Sequence, residues 1–166
     1  MAYRNKTYVC FDADNDIEYY KEMCKWKADD DLDFNFYDAH DLNNLRDGSL
    51  EETIKRKLRE RFNDTKLLIV LIGTNTKYHY KYVRWEIEVA LKMQIPIIGV
   101  NICNNATKIE EYYPAILREE LILNTQFNQK ILQYSIDNWI KEAEMLNKME
   151  EKNNRIWKQH IYDMLG

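Results

Sequence analysis

Two glutamates, Glu86 and Glu88, stand close together in the segment YVRWEIEVAL (residues 82–91), and the pattern around them separates one from the other. On a helix that turns by about 100° per residue, one face of the segment is apolar and would pack on a sheet: Val83, Ile87, Ala90 and Leu91. Glu86 lies at the edge of this face, whereas Glu88 is expected to point to water. Only Glu86 is therefore placed where a carboxylate can be partly buried.

The neighbours of Glu86 on such a helix are apolar or aromatic: Tyr82, Trp85 and Val89. They would partly desolvate the carboxylate, and desolvation raises its pKa towards the range that a catalytic carboxyl needs. The alternative is that Glu86 simply stands near a helix start, where a negative charge interacts favourably with the helix dipole and faces water. The residue types alone leave both interpretations open.

A second group of polar residues, DADND (residues 12–16), follows the first apolar run of the chain. A calcium loop is excluded, because the sixth position from Asp12 is Ile17 instead of glycine and the twelfth is Met23 instead of glutamate. One alternative is a polar turn whose later residues cap the next helix.

The same loop resembles the first motif of haloacid-dehalogenase-type phosphatases, in which two aspartates one residue apart follow a strand. That resemblance implies Asp12 as the nucleophile and Asp14 as the acid–base residue. The family also uses an acidic pair after a later strand, and the corresponding segments here, residues 73–75 and 101–103, contain no acidic residue. The phosphatase is therefore a minor alternative.

Other catalytic and cofactor-binding patterns are missing from the sequence. No histidine and cysteine cluster has zinc spacing, no serine stands in a nucleophile elbow, and with four glycines there is no Gly-rich dinucleotide loop or Walker loop. We therefore expect no metal and no bound cofactor. His40 and His79 lie in predicted loops and are weaker candidates for ligand contacts.

The length and the net charge of the chain limit which classes of protein it can belong to. The 166 residues suit one domain with a helical extension, and the formal net charge of −4 argues against nucleic-acid binding, which needs a basic face. No apolar run approaches the roughly 18 residues of a membrane span. The three cysteines lack CxxC spacing, so we expect reduced thiols in a cytoplasmic protein.

Apolar runs and helical patterns alternate through most of the chain. Strands are predicted at residues 7–11, 33–37, 67–72, 95–100 and 121–123, and helices at 17–26, 49–62 and 77–94. This alternation predicts a single flavodoxin-like α/β domain, with about five parallel strands in the order 2-1-3-4-5 and helices on both faces. Ligands bind where such an order reverses, so the loops 12–16 and 73–80 are expected to share one crevice.

The C-terminal region is predicted to be helical. Residues 127–146 and 149–165 carry apolar residues at helical spacing, as one long helix or as two with a break near residues 148–154. We predict an α/β domain at residues 1–124 and a helical extension at 125–166 packed on it. Its two tryptophans, Trp139 and Trp157, either pack within the chain or belong to a surface for self-association or a partner.

Four segments, taken in order, resemble bacterial TIR domains and are most similar to the TIR-like group of Thoeris antiphage defence: VCFDADND (9–16), FYDAHD (36–41), LIVLIG (68–73) and YVRWEIEVAL (82–91). The resemblance covers residues 8–101 and implies a TIR-like domain. It also implies that Glu86 is the catalytic residue of NAD cleavage, because the enzymatic members carry a glutamate in this segment. NAD is then a substrate and not a cofactor.

The resemblance further implies which residues surround the substrate. The predicted packing partners of nicotinamide or adenine are Phe11, Tyr82 and Trp85. The predicted contacts to ribose and phosphates come from the two loops: Asp12, Asp14, Asn15, Gly73 and Thr74. The candidate cations for the phosphates are Arg84 and Arg46.

The resemblance implies a signalling enzyme that releases nicotinamide. Attack of the adenine on the ribose would give a cyclic ADP-ribose-type signal, which activates a separate effector. Such enzymes are thought to need assembly or a trigger, so a homo-oligomer remains open, while no nucleic-acid or membrane partner is expected. The competing class is a non-enzymatic TIR-like interaction module, in which Glu86 is a surface residue and the C-terminal helices hold a partner.

Overall fold

The computed structural model of the chain describes residues 7–28, 36–37, 51–78 and 82–165. Its strands are β1 (Thr7–Cys10), β2 (Phe36–Tyr37), β3 (Leu67–Ile72), β4 (Ile97–Asn101), β5 (Ile122–Gln126) and β6 (Asn154–Arg155). They form one parallel sheet in the order β2-β1-β3-β4-β5-β6. The predicted α/β class and the order of the first five strands are confirmed. β6 is an edge strand that the sequence analysis did not predict.

The centre of the sheet is formed by strands that are buried along their whole length. All six residues of β3 are apolar and buried. The residues of β1 and β4 on either side of it are also all buried, and most of them are apolar. Helices that connect parallel strands shield both faces of the sheet from water, which is why such strands appear in the sequence as continuous apolar runs.

The helices are α1 (Ile17–Ala28), α2 (Glu51–Phe62), α3 (Tyr82–Lys92), α4 (Gln129–Lys148) and α5 (Gln159–Leu165), with single 3-10 turns at Thr76–Tyr78, Glu110–Tyr112 and Ala115–Leu117. The prediction of one helix over residues 77–94 is wrong at its start, because a 3-10 turn comes first. The buried Thr76 hydroxyl accepts a hydrogen bond from the Gly73 amide (2.8 Å) and fixes this turn directly after β3. Within the described ranges, no helix combines the length and the apolar character needed to cross a membrane.

α2 and α3 pack together over the face of the sheet that Tyr8 of β1 enters. The rings of Tyr8 and Phe62 meet edge-on, with centroids 5.0 Å apart. Glu88 of α3 accepts hydrogen bonds from Lys55 of α2 (2.5 Å) and from Arg84, one turn earlier on its own helix (2.9 Å). Glu88 therefore does not point freely to water as predicted. Burial acts against its ionisation, but the two hydrogen bonds prevail and hold its pKa below the usual value.

The C-terminal region is joined closely to the sheet. α4 begins after the cap residue Asn128, whose side chain accepts a hydrogen bond from the Ile131 amide (3.1 Å). Of the two predicted arrangements, two helices with a break is the one observed, and the break contains β6. β5 runs through the boundary predicted between residues 124 and 125, so a division of the chain into domains at that point stays a prediction.

Both tryptophans of this region are buried within the chain. The Trp139 indole donates a hydrogen bond to the Ile97 carbonyl of β4 (3.0 Å), and the Trp157 indole donates one to the Ser135 hydroxyl of α4 (2.8 Å). Of the two alternatives for these tryptophans, intramolecular packing is therefore the one that the structure supports.

Candidate active site

The loops after β1 and β3 meet at the C-terminal edge of the sheet, where the strand order reverses. The Asp16 carboxylate approaches Gly73 so closely that a Cβ atom at position 73 would lie 2.7 Å from Oδ2 and 2.8 Å from Oδ1. The Thr76 hydroxyl lies 3.5 Å from the same Oδ2. Position 73 therefore admits a side chain only if Asp16 moves, and the predicted proximity of the two loops is confirmed.

Asp12 organises the first of these loops from within. It is fully buried, and its carboxylate accepts hydrogen bonds from the Asp14 amide (3.0 Å) and from Nδ2 of Asn15 (2.6 Å). Asp14 and Asn15 are themselves exposed. Two of the three predicted substrate contacts in this loop thus face solvent, and the third supports the loop. Their contact with a substrate stays a prediction.

Phe11 and Thr74 lie at this edge at different depths. Phe11 is buried and stacks on the Tyr20 ring of α1, with centroids 4.7 Å apart and planes inclined by 13°. Thr74 follows the buried Gly73 and is exposed. The Phe11 ring is therefore occupied with α1, whereas Thr74 is open to solvent.

α3 begins with two half-buried aromatic rings. Tyr82 and Trp85 pack edge to face, with ring centroids 5.5 Å apart and an interplanar angle of 73°. Of the three predicted packing partners for nicotinamide or adenine, these are the two whose side chains are partly exposed. An aromatic ring with one accessible part can hold a planar ligand without leaving its own packing partner.

Glu86 lies one turn into α3, and its carboxyl points inward to β1. The residue is only 5% exposed, so the predicted partial burial is confirmed and is nearly complete. Its Oε1 accepts a hydrogen bond from the Tyr8 hydroxyl (3.0 Å). Burial raises the pKa of Glu86 to about 7, against hydrogen bonds from Cys10 and Tyr8 that act to lower it. Near neutral pH the carboxyl is therefore divided between its protonated and ionised forms.

Tyr8 and Cys10 form the floor beneath Glu86. They alternate with Val9 along β1 and therefore enter the same face of the sheet. Burial, together with the charge of Glu86, raises the pKa of the Tyr8 phenol and of the Cys10 thiol well above their usual values. Both groups thus keep their protons near neutral pH. The Tyr8 hydroxyl donates to the carboxylate, while the Cys10 thiol lies between that carboxylate and the Val83 carbonyl, whose oxygen is 3.8 Å from Sγ.

Two residues of this site, Tyr8 and Cys10, were not predicted from the sequence, and two others, Asp16 and Thr76, were expected only as members of the loops 12–16 and 73–80. The first two carried a signal, because residues two apart on a central strand share a face, and that face had to receive the helix that bears Glu86. The strand order predicted that the loops of Asp16 and Gly73 meet, but the contact between these two residues depends on how each loop folds.

A groove of about 270 Å³ lies between α3 and the 3-10 turns beside it. It is lined by three cations: Lys77, Arg84 and Arg118. Arg84, one of the two candidate phosphate contacts, donates a hydrogen bond to Glu88, so it can bind an anion only by sharing or leaving that partner.

Metal binding and three further candidate residues remain from the sequence-based predictions. The part of the chain that the structure describes contains no group of three His, Cys, Asp or Glu side chains that could hold a metal ion. His40, His79 and Arg46 lie outside the described residues, as do residues 49 and 50 at the start of the helix predicted over 49–62.

One family of known proteins matches the chain: the family described as Thoeris protein ThsB, TIR-like domain, at residues 8–107. The match spans more than half of the chain and includes β1 from Tyr8 onward, the loop 12–16, β3 and all of α3. It ends after β4, so that β5, α4, β6 and α5 lie beyond it. The resemblance proposed from the sequence is thereby confirmed, and it favours the TIR-like interpretation of the aspartate loop over the phosphatase.

Proposed function

This chain belongs to the Thoeris ThsB TIR-like domain family, a family of antiphage defence, and on that premise we propose that it cleaves NAD at the bond between nicotinamide and ribose. Glu86 is the proposed catalytic residue. The observation that carries the proposal is the setting of Glu86, an ionisable carboxyl that is 5% exposed and held by the Tyr8 hydroxyl at 3.0 Å.

The chemistry of the bond explains why one carboxylate is sufficient. Breaking the C–N bond leaves positive charge on the ribose, in an oxocarbenium-like transition state. An ionised Glu86 beside the ribose would hold its hydroxyls and stabilise this charge. Nicotinamide leaves with the bonding electrons as a neutral base, so it needs no proton from an acid. An adenine nitrogen or a water molecule then bonds to the ribose carbon, and we propose the cyclic ADP-ribose-type product.

The surroundings of Glu86 suit this electrostatic role. A carboxylate acts more strongly on a nearby cation in a site of low dielectric than in water, provided that it is ionised. Burial works against ionisation and raises the pKa to about 7, while the donors Cys10 and Tyr8 favour the ionised form. The balance keeps a substantial ionised fraction near neutral pH.

The burial of Glu86 also implies a step before catalysis. With 5% of the residue exposed, a ribose reaches the carboxyl only after the side chains above it move. We propose that this opening is the activating step and that a trigger, or assembly of several copies, drives it. Such control suits a defence enzyme, because unregulated loss of NAD would harm its own cell. The product would act on a separate effector.

Cellular NAD tests the proposal. Cells that carry the defence system are challenged with phage and compared in three versions: wild type, Glu86→Gln and Glu88→Gln. We expect NAD to fall with wild type and Glu88→Gln and to stay constant with Glu86→Gln. Glu88→Gln is the matched control, since the same change is made on the same helix at a side chain that meets Lys55 instead of Tyr8. A fall in NAD that persists in Glu86→Gln rules out the proposed role.

A non-enzymatic TIR-like interaction module is the second candidate, and the burial of Glu86 is the observation that favours it. A buried carboxyl that is hydrogen-bonded by Tyr8 can serve simply as a polar contact within the core. Defence would then survive Glu86→Gln as long as the fold does. The exposed apolar side chains of the C-terminal region would contribute to the working surface: Met145, Met149, Ile156 and Met164.

A further inference from the structure

We propose that Tyr8 is the positioning residue of Glu86, because its phenolic O–H holds Oε1 and thereby sets the orientation and the ionisation of the carboxyl. The two oxygen atoms are 3.0 Å apart, within the range of an O–H···O hydrogen bond, and the bond joins β1 to α3 through the interior. Its catalytic consequence rests on the proposed function, whereas its effect on Glu86 does not.

The packing around Tyr8 leaves its ring one position. The residue is fully buried, and Phe62 of α2 meets its ring edge-on at an interplanar angle of 76°. Its backbone lies between two neighbouring strands, opposite Tyr37 of β2 and Leu68 of β3. A hydroxyl on so confined a ring delivers its hydrogen bond to a fixed point, which is the requirement for a group that positions another.

The Tyr8 hydroxyl favours ionisation of Glu86 because it is a hydrogen-bond donor. A hydroxyl that donates to a carboxylate favours the ionised form and so opposes the effect of burial. The Cys10 thiol, also on β1, acts in the same direction. From α2, Arg61 acts electrostatically on the Tyr8 phenol. On α3, Arg84 pairs with Glu88, and Glu88 also pairs with Lys55 of α2.

A positioning role and a merely structural one predict different results for Tyr8→Phe. The variant keeps the ring and its contact with Phe62 but removes the donor. If the hydrogen bond only stabilises the core, the variant unfolds more easily while the titration of Glu86 is unchanged. If Tyr8 positions Glu86, the midpoint of that titration moves to higher pH, because the ionised carboxylate loses a donor.

The experiment follows the carboxyl carbon of Glu86 by ¹³C NMR across pH, with its signal assigned by its loss in Glu86→Gln. Tyr113→Phe is the matched control, because it removes another buried phenol hydroxyl, one whose interacting groups are Asn124, Glu110 and Arg118 and do not include Glu86. We expect the Glu86 midpoint to rise by about one pH unit or more in Tyr8→Phe and to stay unchanged in Tyr113→Phe. NAD cleavage at pH 7 should then fall roughly five- to tenfold in kcat with little change in KM.

The outcomes separate this inference from the proposed function. A shifted Glu86 midpoint together with an active wild type supports both. A shifted midpoint with no NAD cleavage by wild type supports the contact and contradicts the enzyme. An unshifted midpoint in folded Tyr8→Phe overturns the inference. If the variant does not fold, the chemical shift of the Tyr8 Cζ carbon in wild type is measured across pH instead. We expect it to change with the same midpoint as Glu86, and a shift that does not change at this midpoint overturns the inference as well.

Discussion

Glu86 and Glu88 are two residues apart on α3, yet Glu86 is buried against Tyr8 of β1 while Glu88 is paired with Lys55 of α2. Two residues turn a helix by about 200°, so the two side chains lie on nearly opposite faces. Burial raises the pKa of Glu86, whereas at Glu88 the hydrogen bonds to Lys55 and Arg84 outweigh burial and lower it. The same side chain therefore has opposite acid–base behaviour at two nearby positions.

The raised pKa of Glu86 predicts that its contribution to stability declines as pH rises. The carboxyl ionises near 4.5 in the unfolded chain and at about 7 in the folded one. Its contribution is therefore complete below pH 4.5 and is lost as pH rises through 7, by an amount of the order of 3 kcal/mol. The Glu86→Gln variant cannot ionise and should lack this decline. Urea unfolding of both proteins at several pH values between about 4.5 and 8 measures the difference. Parallel curves for the two proteins would contradict the prediction.

Glu88→Gln should change the pH dependence of stability in the opposite direction to Glu86→Gln. The pKa of Glu88 is lowered in the folded protein. Its negative charge therefore stabilises the fold at pH values above the pKa of the unfolded chain, and this stabilisation is lost as the pH falls through the pKa of the folded protein. We expect the variant to be less stable than wild type near neutral pH and to approach it in acid. Added salt should reduce the neutral-pH difference, because ion pairs at a partly exposed surface are screened. A difference in unfolding free energy between wild type and Glu88→Gln that does not change with pH would contradict this prediction.

Gly73→Ala should destabilise the fold through its contact with Asp16. The new Cβ would lie 2.7 Å from a buried carboxylate oxygen, and such overpacking costs about 1–3 kcal/mol. Thermal unfolding measures the loss, and Thr74→Ala, at the exposed neighbouring position, is the control. In an Asp16→Ala background the cost of Gly73→Ala should shrink, because the obstructing carboxylate is gone. An equal cost in both backgrounds shows that the contact is not the cause.

Much of the fold was predictable because it rests on local patterns. LLIVLI (residues 67–72) forms a strand that is buried on both faces, and the helical period of residues 82–91 correctly placed Glu86 rather than Glu88 towards the interior. The alternation of strands and helices was sufficient for the strand order. Each of these inferences uses residues that lie within a few positions of one another.

The rest depended on contacts between distant parts of the chain. Tyr8 is recognised as the partner of Glu86 only once β1 and α3 are packed together. The turn before α3 was predicted as the start of one helix over residues 77–94, and the role of Thr76 appears only beside Gly73. β6 was missed because two polar residues, Asn154 and Arg155, give no strand pattern.

Ser135→Ala should weaken the attachment of the C-terminal segment to α4. The change removes the acceptor of the Trp157 indole, and a buried donor without a partner costs about 1–3 kcal/mol. Asn138→Ala, at an exposed position one turn further along α4, is the control. Chemical unfolding gives the stability, and tryptophan fluorescence reports whether the surroundings of the indole change. A stability equal to that of the control variant would show that the hydrogen bond contributes nothing.

The most direct test of the proposed function is mass spectrometry of small molecules after concentrated protein, or an extract of triggered cells, is incubated with NAD. Wild type should release nicotinamide together with a cyclic ADP-ribose species, and Glu86→Gln should release neither, while Glu88→Gln behaves as wild type. Circular dichroism of each variant confirms that its fold is intact. Equal nicotinamide release by wild type and folded Glu86→Gln, or none by wild type even in triggered extracts, would contradict the claim that Glu86 cleaves NAD.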